Sequence, residues 1–327
     1  MYSVIIPVYR NAEFVPQLIT EFTRISKEIR ARYKMETEFV FVVDASPDNS
    51  YDLLEASLSQ AELRSQLILH ARNFGSFAAI RTGLRAAQGK YFAAIAADLQ
   101  EPPELLIDFL DKLFHDTSDI VVGVRAARDD PTLSRLSANI FWGFYRRFVL
   151  REIPAGGVDV FGCNRRIRDE LLALEEANSS LVGLVYWLGF RRSEVRYERK
   201  ARAFGKSAWT LSKKVNYLLD SIFAFTDLPI RLLWGAGVLG IVVAALLGLS
   251  VIVMRLMGEI EVAGYTATIV VITFFGALNT LGLGLVGTYA WRGYENTKRR
   301  PLALVRTART FEGSKHPDSS THEGARQ

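Results

Sequence analysis

Cysteine is all but missing: 327 residues contain one, Cys163. A lone thiol excludes an internal disulfide and fits a reducing compartment. A secretory start is missing too. Met1 to Pro7 has neither the basic opening nor the long apolar region of a signal peptide, and reads instead as a first β-strand. Two stretches lack charge altogether, Leu232 to Met254 and Val262 to Trp291. Each exceeds the roughly 20 residues that span a bilayer, whereas a buried soluble helix is normally shorter and amphipathic. Two membrane helices, about 231–255 and 262–291, are therefore expected within a segment 230–292.

The charges around these runs orient them. Arg255 to Glu261, between the runs, holds one arginine and two glutamates. Arg292, Lys298, Arg299, Arg300, Arg306 and Arg309 follow the second run, in a chain of net charge +5. By the positive-inside rule the basic tail 293–327 is cytoplasmic and the short connection lies outside. Two crossings bring the chain back to its starting side, which places the N-terminal part in the cytoplasm as well. From about Gly313 the tail is polar and is expected to be disordered.

The stretch that organises the chain is Lys90 to Glu104. An apolar run, Tyr91 to Ala97, has strand length and suits a strand buried on both faces. It ends on Asp98, with Gln100 two residues later and Pro102-Pro103 where a helix would start. Ligands of open α/β sheets bind beyond the carboxyl ends of the strands. Asp98 is thus either a ligand-binding acid or a helix cap. As a ligand it would join the Gln100 amide and diphosphate oxygens around a hard cation, Mg²⁺ or Mn²⁺.

The remaining pattern alternates. Strands are expected at Tyr2–Val8, Glu38–Val43, Gln66–His70, Asp119–Val124 and Glu194–Glu198. Helices are expected at Ala12–Tyr33, from Gly75 to near Gly89, at Pro102–Phe114, within Asp129–Ile153, and at Asp169–Trp187. This alternation predicts an α/β domain with a doubly wound, mostly parallel sheet over residues 1–206. Glu38–Val43 also ends on an acid, Asp44. Ser46, Asp48, Asn49 or Ser50 can cap the next helix, which leaves Asp44 free unless it is a turn carboxylate. Gly75, at a helix start, would let an anion approach the backbone. Asp159 sits in an apolar stretch, where an unpaired acid is costly, so it is either paired or faces a cleft. Arg199 to Ser207 is a basic loop, either solvated or closing over phosphates. Residues 207–229 hold an amphipathic helix that either lies in a membrane interface or packs on the domain or another subunit.

Taken together, Ile6-Pro7-Val8-Tyr9, Asp44-Ala-Ser-Pro-Asp48, Arg72-Asn-Phe-Gly75, Asp98-Leu-Gln-Glu-Pro-Pro-Glu104, Gly123-Val-Arg125, Asp159, Arg202-Ala-Phe-Gly205 with Trp209, and Pro229 resemble the family-2 glycosyltransferases of GT-A fold. Within those the chain looks like the polyprenyl-phosphate glycosyltransferases of the dolichyl-phosphate mannose synthase type, including bacterial undecaprenyl-phosphate glucosyltransferases. The resemblance runs to about Val305. It implies that Pro7, Tyr9 and Asp44 hold the nucleoside, that Asp98 and Gln100 hold Mg²⁺ or Mn²⁺, and that Arg125 and Arg202 contact phosphates or sugar. Asp159 would act at the acceptor side. It further implies a UDP- or GDP-linked sugar, a polyprenyl phosphate acceptor, the lipid bilayer as a partner, and no nucleic acid. The setting would be a cell inner membrane, crossed more than once, in cell-envelope glycan synthesis; a homo-oligomer is left open.

Four departures stand out: Val43, Ala96, Val158-Asp159-Val160, and Gly205-Lys206-Ser207-Ala208 where the family has Gly-x-Ser-Lys. A glycan-extending synthase is a rival reading, but its usual Gln-x-x-Arg-Trp is absent. A non-catalytic relative that binds a nucleotide or partner is another. The topology is directly testable. In intact cells, Gly258→Cys should react with an impermeant thiol reagent and Ser314→Cys should not; the reverse labelling would invert the orientation.

Overall fold

The computed structural model describes residues 1–126, 143, 145–147, 149–150, 152–154, 157–176, 179–200, 211–257 and 264–313. Asp159, residues 211–216 and scattered positions of the two longest helices are described by their backbone alone. The basic loop from residue 201 to 210 and most of 127–156 lie outside these residues, and with them fall Arg202, Trp209 and much of the predicted helix within Asp129–Ile153.

Among the described residues eight strands make one sheet: β1 (Tyr2–Val8), β2 (Thr37–Val43), β3 (Ser65–His70), β4 (Tyr91–Ala94), β5 (Ile120–Arg125), β6 (Val158–Asn164), β7 (Arg192–Tyr197) and β8 (Val305–Phe311). Their order is β7-β5-β6-β4-β1-β2-β3-β8. The pairs β1–β2, β1–β4, β2–β3 and β5–β7 are parallel. β6 runs antiparallel to both β4 and β5, and β8 runs antiparallel to β3.

The central strands are apolar over most of their length because both faces are covered, and β2 is buried along its whole length. On one face lie α1 (Val15–Tyr33), α2 (Ser50–Gln60) and α4 (Leu105–Phe114), packed through Leu18, Phe22, Leu54 and Phe109. On the other lie α3 (Ser76–Ala86), α5 (Arg165–Ala173) and α6 (Leu181–Trp187), packed through Ile80, Leu84, Ile167 and Leu184. The helix predicted over Asp169–Trp187 is two helices. Ser180 accepts a hydrogen bond from Gly183 N at 3.1 Å and starts the second one.

Three long elements follow. In α7 (Leu211–Phe225), Tyr217, Leu218 and Phe225 pack against the core of the α3 face. The ring of Phe225 fills the space a side chain at Gly183 would need. So α7 docks on the domain, the second of the two uses open to it. Next, α8 (Leu228–Leu256) contains a 23-residue run, Leu228–Ser250, of mean hydropathy 2.4. At 1.5 Å per residue that is about 34 Å, enough for a hydrocarbon core of about 30 Å. Among the described residues it is the one helix long and apolar enough to cross a membrane. Finally, α9 (Tyr265–Thr297) runs antiparallel to α8, with Phe275 against Gly240 and Leu233 against Gly282.

The tail then returns to the sheet. Six residues of β8 pair with β3, Ala71 N donates to Leu304 O at 2.8 Å, and Arg309 forms an ion pair with Glu55 of α2. A domain ending at residue 206 is therefore incomplete: residues 305–311, placed by the sequence reading in a basic tail, are its edge strand. Inside the domain, Gly83 lets α3 lie close to β1. A Cβ there would come within 2.4 Å of Ile5 Cγ2 and 3.3 Å of Val42 Cγ2. Gly83→Ala gains up to about 1 kcal/mol of helix propensity but overpacks a β-branched wall, at a cost of about 1–3 kcal/mol. Thermal unfolding should show net destabilisation; a raised Tm would mean that α3 is free to shift.

Candidate active site

Three strands deliver their carboxyl ends to one edge, and each is followed by a residue forced into left-handed backbone. Arg10 follows Tyr9 with φ 56°, Ala45 follows Asp44 with φ 47°, and Leu99 follows Asp98 with φ 53°. None is glycine, so each costs roughly 1–2 kcal/mol. Such strain persists only where surrounding contacts impose it. At this edge they do. Asp48 accepts from Ser46 Oγ (2.6 Å), Ser50 Oγ (2.7 Å) and Ala12 N (3.1 Å), while Ser46 Oγ accepts from Arg10 N at 2.7 Å. The turn after β2 is thereby tied to the turn after β1. Burial works to raise the Asp48 carboxyl, but these hydrogen bonds outweigh it and hold the group below the usual carboxylate range.

Asp44 is not free. Its carboxylate is buried and accepts from Phe74 N at 2.8 Å and Gly75 N at 2.7 Å, with His70 Nδ1 at 2.8 Å. The far nitrogen of His70 meets Thr82 Oγ1 at 2.9 Å. The anion that approaches the amino end of α3 is therefore one of the protein's own side chains. Gly75 is needed there for its φ of 94°, since a Cβ would meet nothing within 4 Å.

Asp98 does not cap a helix. The next one starts at Leu105 with Glu104 as its flanking residue. The backbone N of Gln100 donates to Asp98 Oδ1 at 3.4 Å. Gln100 itself turns to the entry of the basic loop: its Oε1 accepts from Arg199 Nη2 at 2.6 Å, and its Nε2 donates to Lys200 O at 3.3 Å. Buried Glu101 adds an ion pair to Arg199 Nε at 3.3 Å. The loop that carries Arg202 thus leaves from the Asp98 segment, although Arg202 lies outside the described residues.

Pro7, Tyr9, Asp44 and Asp98 line one cavity of about 640 Å³, together with Asn11, Asn73 and Ala96. Arg125 ends β5, in register with Tyr197 of β7, and is not part of that lining. Asp159 falls at a break in register: Val160 pairs with Gly123 and Val158 with Val124, so Asp159 is the extra residue of a bulge. Bulges of this kind often redirect a side chain next to an active site. It lies near the start of β6, antiparallel to β4, and so at the edge where β4 runs out toward Asp98. The sequence reading missed Arg81, Ser179, Tyr217 and Asp220, which line the same cavity. Nothing local marks them, since they reach the cavity from α3, from the segment between α5 and α6, and from α7.

A profile of glycosyl transferase family 2 matches residues 3–173, from β1 to the end of α5. The chain belongs to glycosyl transferase family 2. This glycosyltransferase is 32% identical over 315 residues to the uncharacterized glycosyltransferase YkcC of Bacillus subtilis, covering 96% of each chain. Over 309 residues it is 32% identical to an undecaprenyl-phosphate 4-deoxy-4-formamido-L-arabinose transferase of Serratia proteamaculans, covering 93% of this chain and 92% of that one. Among solved structures it is similar to mannosyl-3-phosphoglycerate synthase from Rubrobacter xylanophilus, at a TM-score of 0.45 and 15% identity over 72% and 75% of the two chains.

The Asp44 contacts generate a prediction. In Asp44→Asn, one oxygen becomes an NH₂ group, so a buried backbone N–H faces a donor. A buried donor left unpaired costs about 1–3 kcal/mol. The purified variant should melt several degrees lower. An unchanged melting temperature would show that Asp44 does not anchor the loop.

Proposed function

We propose that this glycosyltransferase moves a sugar from a nucleotide sugar to a polyprenyl phosphate at the cytoplasmic membrane face, with inversion at the sugar carbon. The observation that carries the reading is the shape of the site. The cavity over the strand ends is walled on its far side by α7, the helix that leads into apolar α8. Similarity to a relative named for an undecaprenyl-phosphate acceptor supports the same reading.

The connectivity supports a two-crossing hairpin. β7 precedes α8 and β8 follows α9, and both belong to one sheet. A chain that leaves the sheet and rejoins it makes an even number of crossings. If Leu228–Ser250 crosses, α9 is the return. The cytoplasmic placement rests on the arginines that follow α9.

In this reading Pro7, Tyr9 and Asp44 border the nucleoside. The loop anchored at Arg199 brings Arg202 to the phosphates, and Arg125 approaches from the β5 end. An oxygen of the acceptor phosphate forms the new bond to the sugar carbon. The bond from that carbon to the diphosphate breaks, and the nucleoside diphosphate leaves. The attacking phosphate is already ionised at neutral pH, so Asp159 has an orienting role rather than that of a strong base.

The residues present fit a divalent cation of the kind that keeps several waters. Among the described residues no group of three acids, histidines or cysteines stands ready to enclose a metal. Asp98 offers one carboxylate, and Mg²⁺ is commonly bound by one or two carboxylates plus substrate phosphates. Gln100 would have to release Arg199 to serve as a second ligand. When bound, the ion would offset charge on the leaving diphosphate.

The test is glycolipid formation in membranes, using a panel of labelled nucleotide sugars and undecaprenyl phosphate. Asp98→Asn should lower transfer about a hundredfold or more, the usual loss of one well-placed electrostatic stabiliser. Chelator should abolish transfer by the parent, and Mg²⁺ or Mn²⁺ should restore it. Equal activity of parent and variant, indifferent to chelator, would remove the metal from this account. No transfer from any nucleotide sugar would favour a non-catalytic relative.

A further inference from the structure

Arg199 grips the segment that follows Asp98 at two points. Its Nη2 donates to Gln100 Oε1 at 2.6 Å, and its Nε lies 3.3 Å from Glu101 Oε1. The Glu101 carboxylate is buried and the guanidinium is half-buried. Lys200 adds two contacts. Its N donates to Gln100 O at 2.9 Å, and its O accepts from Gln100 Nε2 at 3.3 Å. Both ends of the Gln100 amide are therefore engaged, by two consecutive residues. The amide is also held off the cavity: Asp98 belongs to the lining and Gln100 does not.

The backbone here has little freedom. Leu99 is in left-handed backbone with φ 53°, and Pro102 and Pro103 follow Glu101. Proline fixes its own φ and restricts the residue before it. What is left to turn is the Gln100 side chain. Turning it toward Asp98 breaks two hydrogen bonds, one of them short and charge-assisted. It does not strand Arg199, because Glu101 stays beside the guanidinium. Nor does it undo the bond from Lys200 N to Gln100 O, which is main chain on both sides. The cost of turning thus falls on the amide alone. A ligand that requires the turned amide binds more weakly by the fraction of time the amide is turned.

We propose that Arg199 is a positioning residue that restrains the Gln100 amide away from Asp98, and so sets how tightly Mg²⁺ or Mn²⁺ is held there. This deepens the function proposed above and rests on its divalent cation at Asp98. The restraint weakens the ion without excluding it, since one carboxylate, substrate phosphates and water already make an acceptable shell. The planar fork of arginine is what the restraint requires. It reaches Glu101 with one nitrogen and Gln100 with another, whereas a lysine ammonium is a single point of charge. Charge repulsion between Arg199 and the ion is a separate effect, and the experiment tells the two apart.

The experiment titrates Mn²⁺ into the full-length protein in detergent micelles with saturating UDP. Free Mn²⁺ is read by electron paramagnetic resonance, and the ion held by UDP alone is subtracted. Arg199→Lys keeps the charge beside Glu101 but loses the fork. It should bind Mn²⁺ about threefold to tenfold more tightly than the parent, up to the scale of one hydrogen bond to a charged group. Arg199→Met should bind at least as tightly, and it serves in place of the lysine variant if that one does not fold. A merely structural role for Arg199 would leave binding unchanged or weaken it. Gln100→Leu should weaken Mn²⁺ binding about threefold or more, and adding Arg199→Lys to it should bring no gain. Unchanged or weaker binding by the Arg199 variants, beside a loss in Gln100→Leu, would overturn the restraint and leave Gln100 as a ligand. A gain that persists in the Gln100→Leu background would overturn it too, since the effect would then not pass through the amide. Parent-like binding by Gln100→Leu would remove Gln100 from the ligand set, and the restraint with it, while leaving the ion at Asp98. A parent protein that binds no Mn²⁺ beyond UDP alone would overturn the cation reading and the restraint together.

Discussion

The site depends on one buried carboxylate. Asp44 follows β2, yet its partners are the His70 ring at the end of β3 and two backbone N–H groups of the segment that joins β3 to α3. Helix amino ends draw anions because their first N–H groups are unpaired and their dipoles point outward. Here the protein supplies the anion from its own sheet. The result is a rigid seam between two βα turns, and the floor of the cavity is built on that seam. The same carboxylate lines the cavity, so whatever holds α3 in place also shapes that part of the cavity. His70 extends the seam inward to Thr82 on α3, one element deeper into the fold.

Much of this was legible in the sequence, for a physical reason. Strands buried on both faces must be apolar throughout, so β1, β2 and the run leading to Asp98 announce themselves, and an acid at the end of such a run has few bland roles. Strand β8 was hidden by the converse argument. It lies at the sheet edge, most of its residues are exposed, and Arg306, Thr307, Arg309 and Thr310 give it the composition of a solvated tail. Edge strands carry charge to discourage pairing with other chains. Arg81 was hidden because an arginine on a helix is ordinarily solvated; only the position of α5 and α6 buries it. Asp44 was read as a carboxylate left free, and its engagement was missed because its partners lie 26 to 31 positions along the chain. Arg202 and the side chain of Asp159 fall outside what the structure describes.

The two longest helices are an insertion between strands of one sheet, and this constrains them more than their composition does. The connection is not a flexible tether. Asp220 of α7 holds Arg292 of α9, whose guanidinium also lies 4.8 Å from the Phe223 ring centroid, and Phe223 meets Tyr289 edge to face at 5.2 Å. Four residues from two helices thus clasp the carboxyl end of α9 to α7. On its other side α7 is clamped by Phe225 against Gly183, while Tyr217 stacks on Tyr145 at 6.2 Å. A partly buried ion pair with an aromatic roof is worth more than the exposed pairs that dot the surface of α1, which contribute about 0–1 kcal/mol.

That arrangement bears on how the two substrates proposed above would meet. A nucleotide sugar is polar and arrives from water, whereas a polyprenyl phosphate stays with the bilayer. A mobile catalytic domain would have to find the lipid anew in each cycle, and the entropy of that search would fall on the reaction barrier. Here the wall of the cavity and the apolar helices share one clasped helix, and β8 fixes the returning chain to the opposite edge of the sheet. The hairpin is held at both of its ends, and Leu302, in the segment between α9 and β8, itself lines the cavity. The geometry therefore fixes the height of the cavity relative to the apolar helices. In the proposed reaction a fixed height would bring the two reacting groups to the same place before any side chain acts.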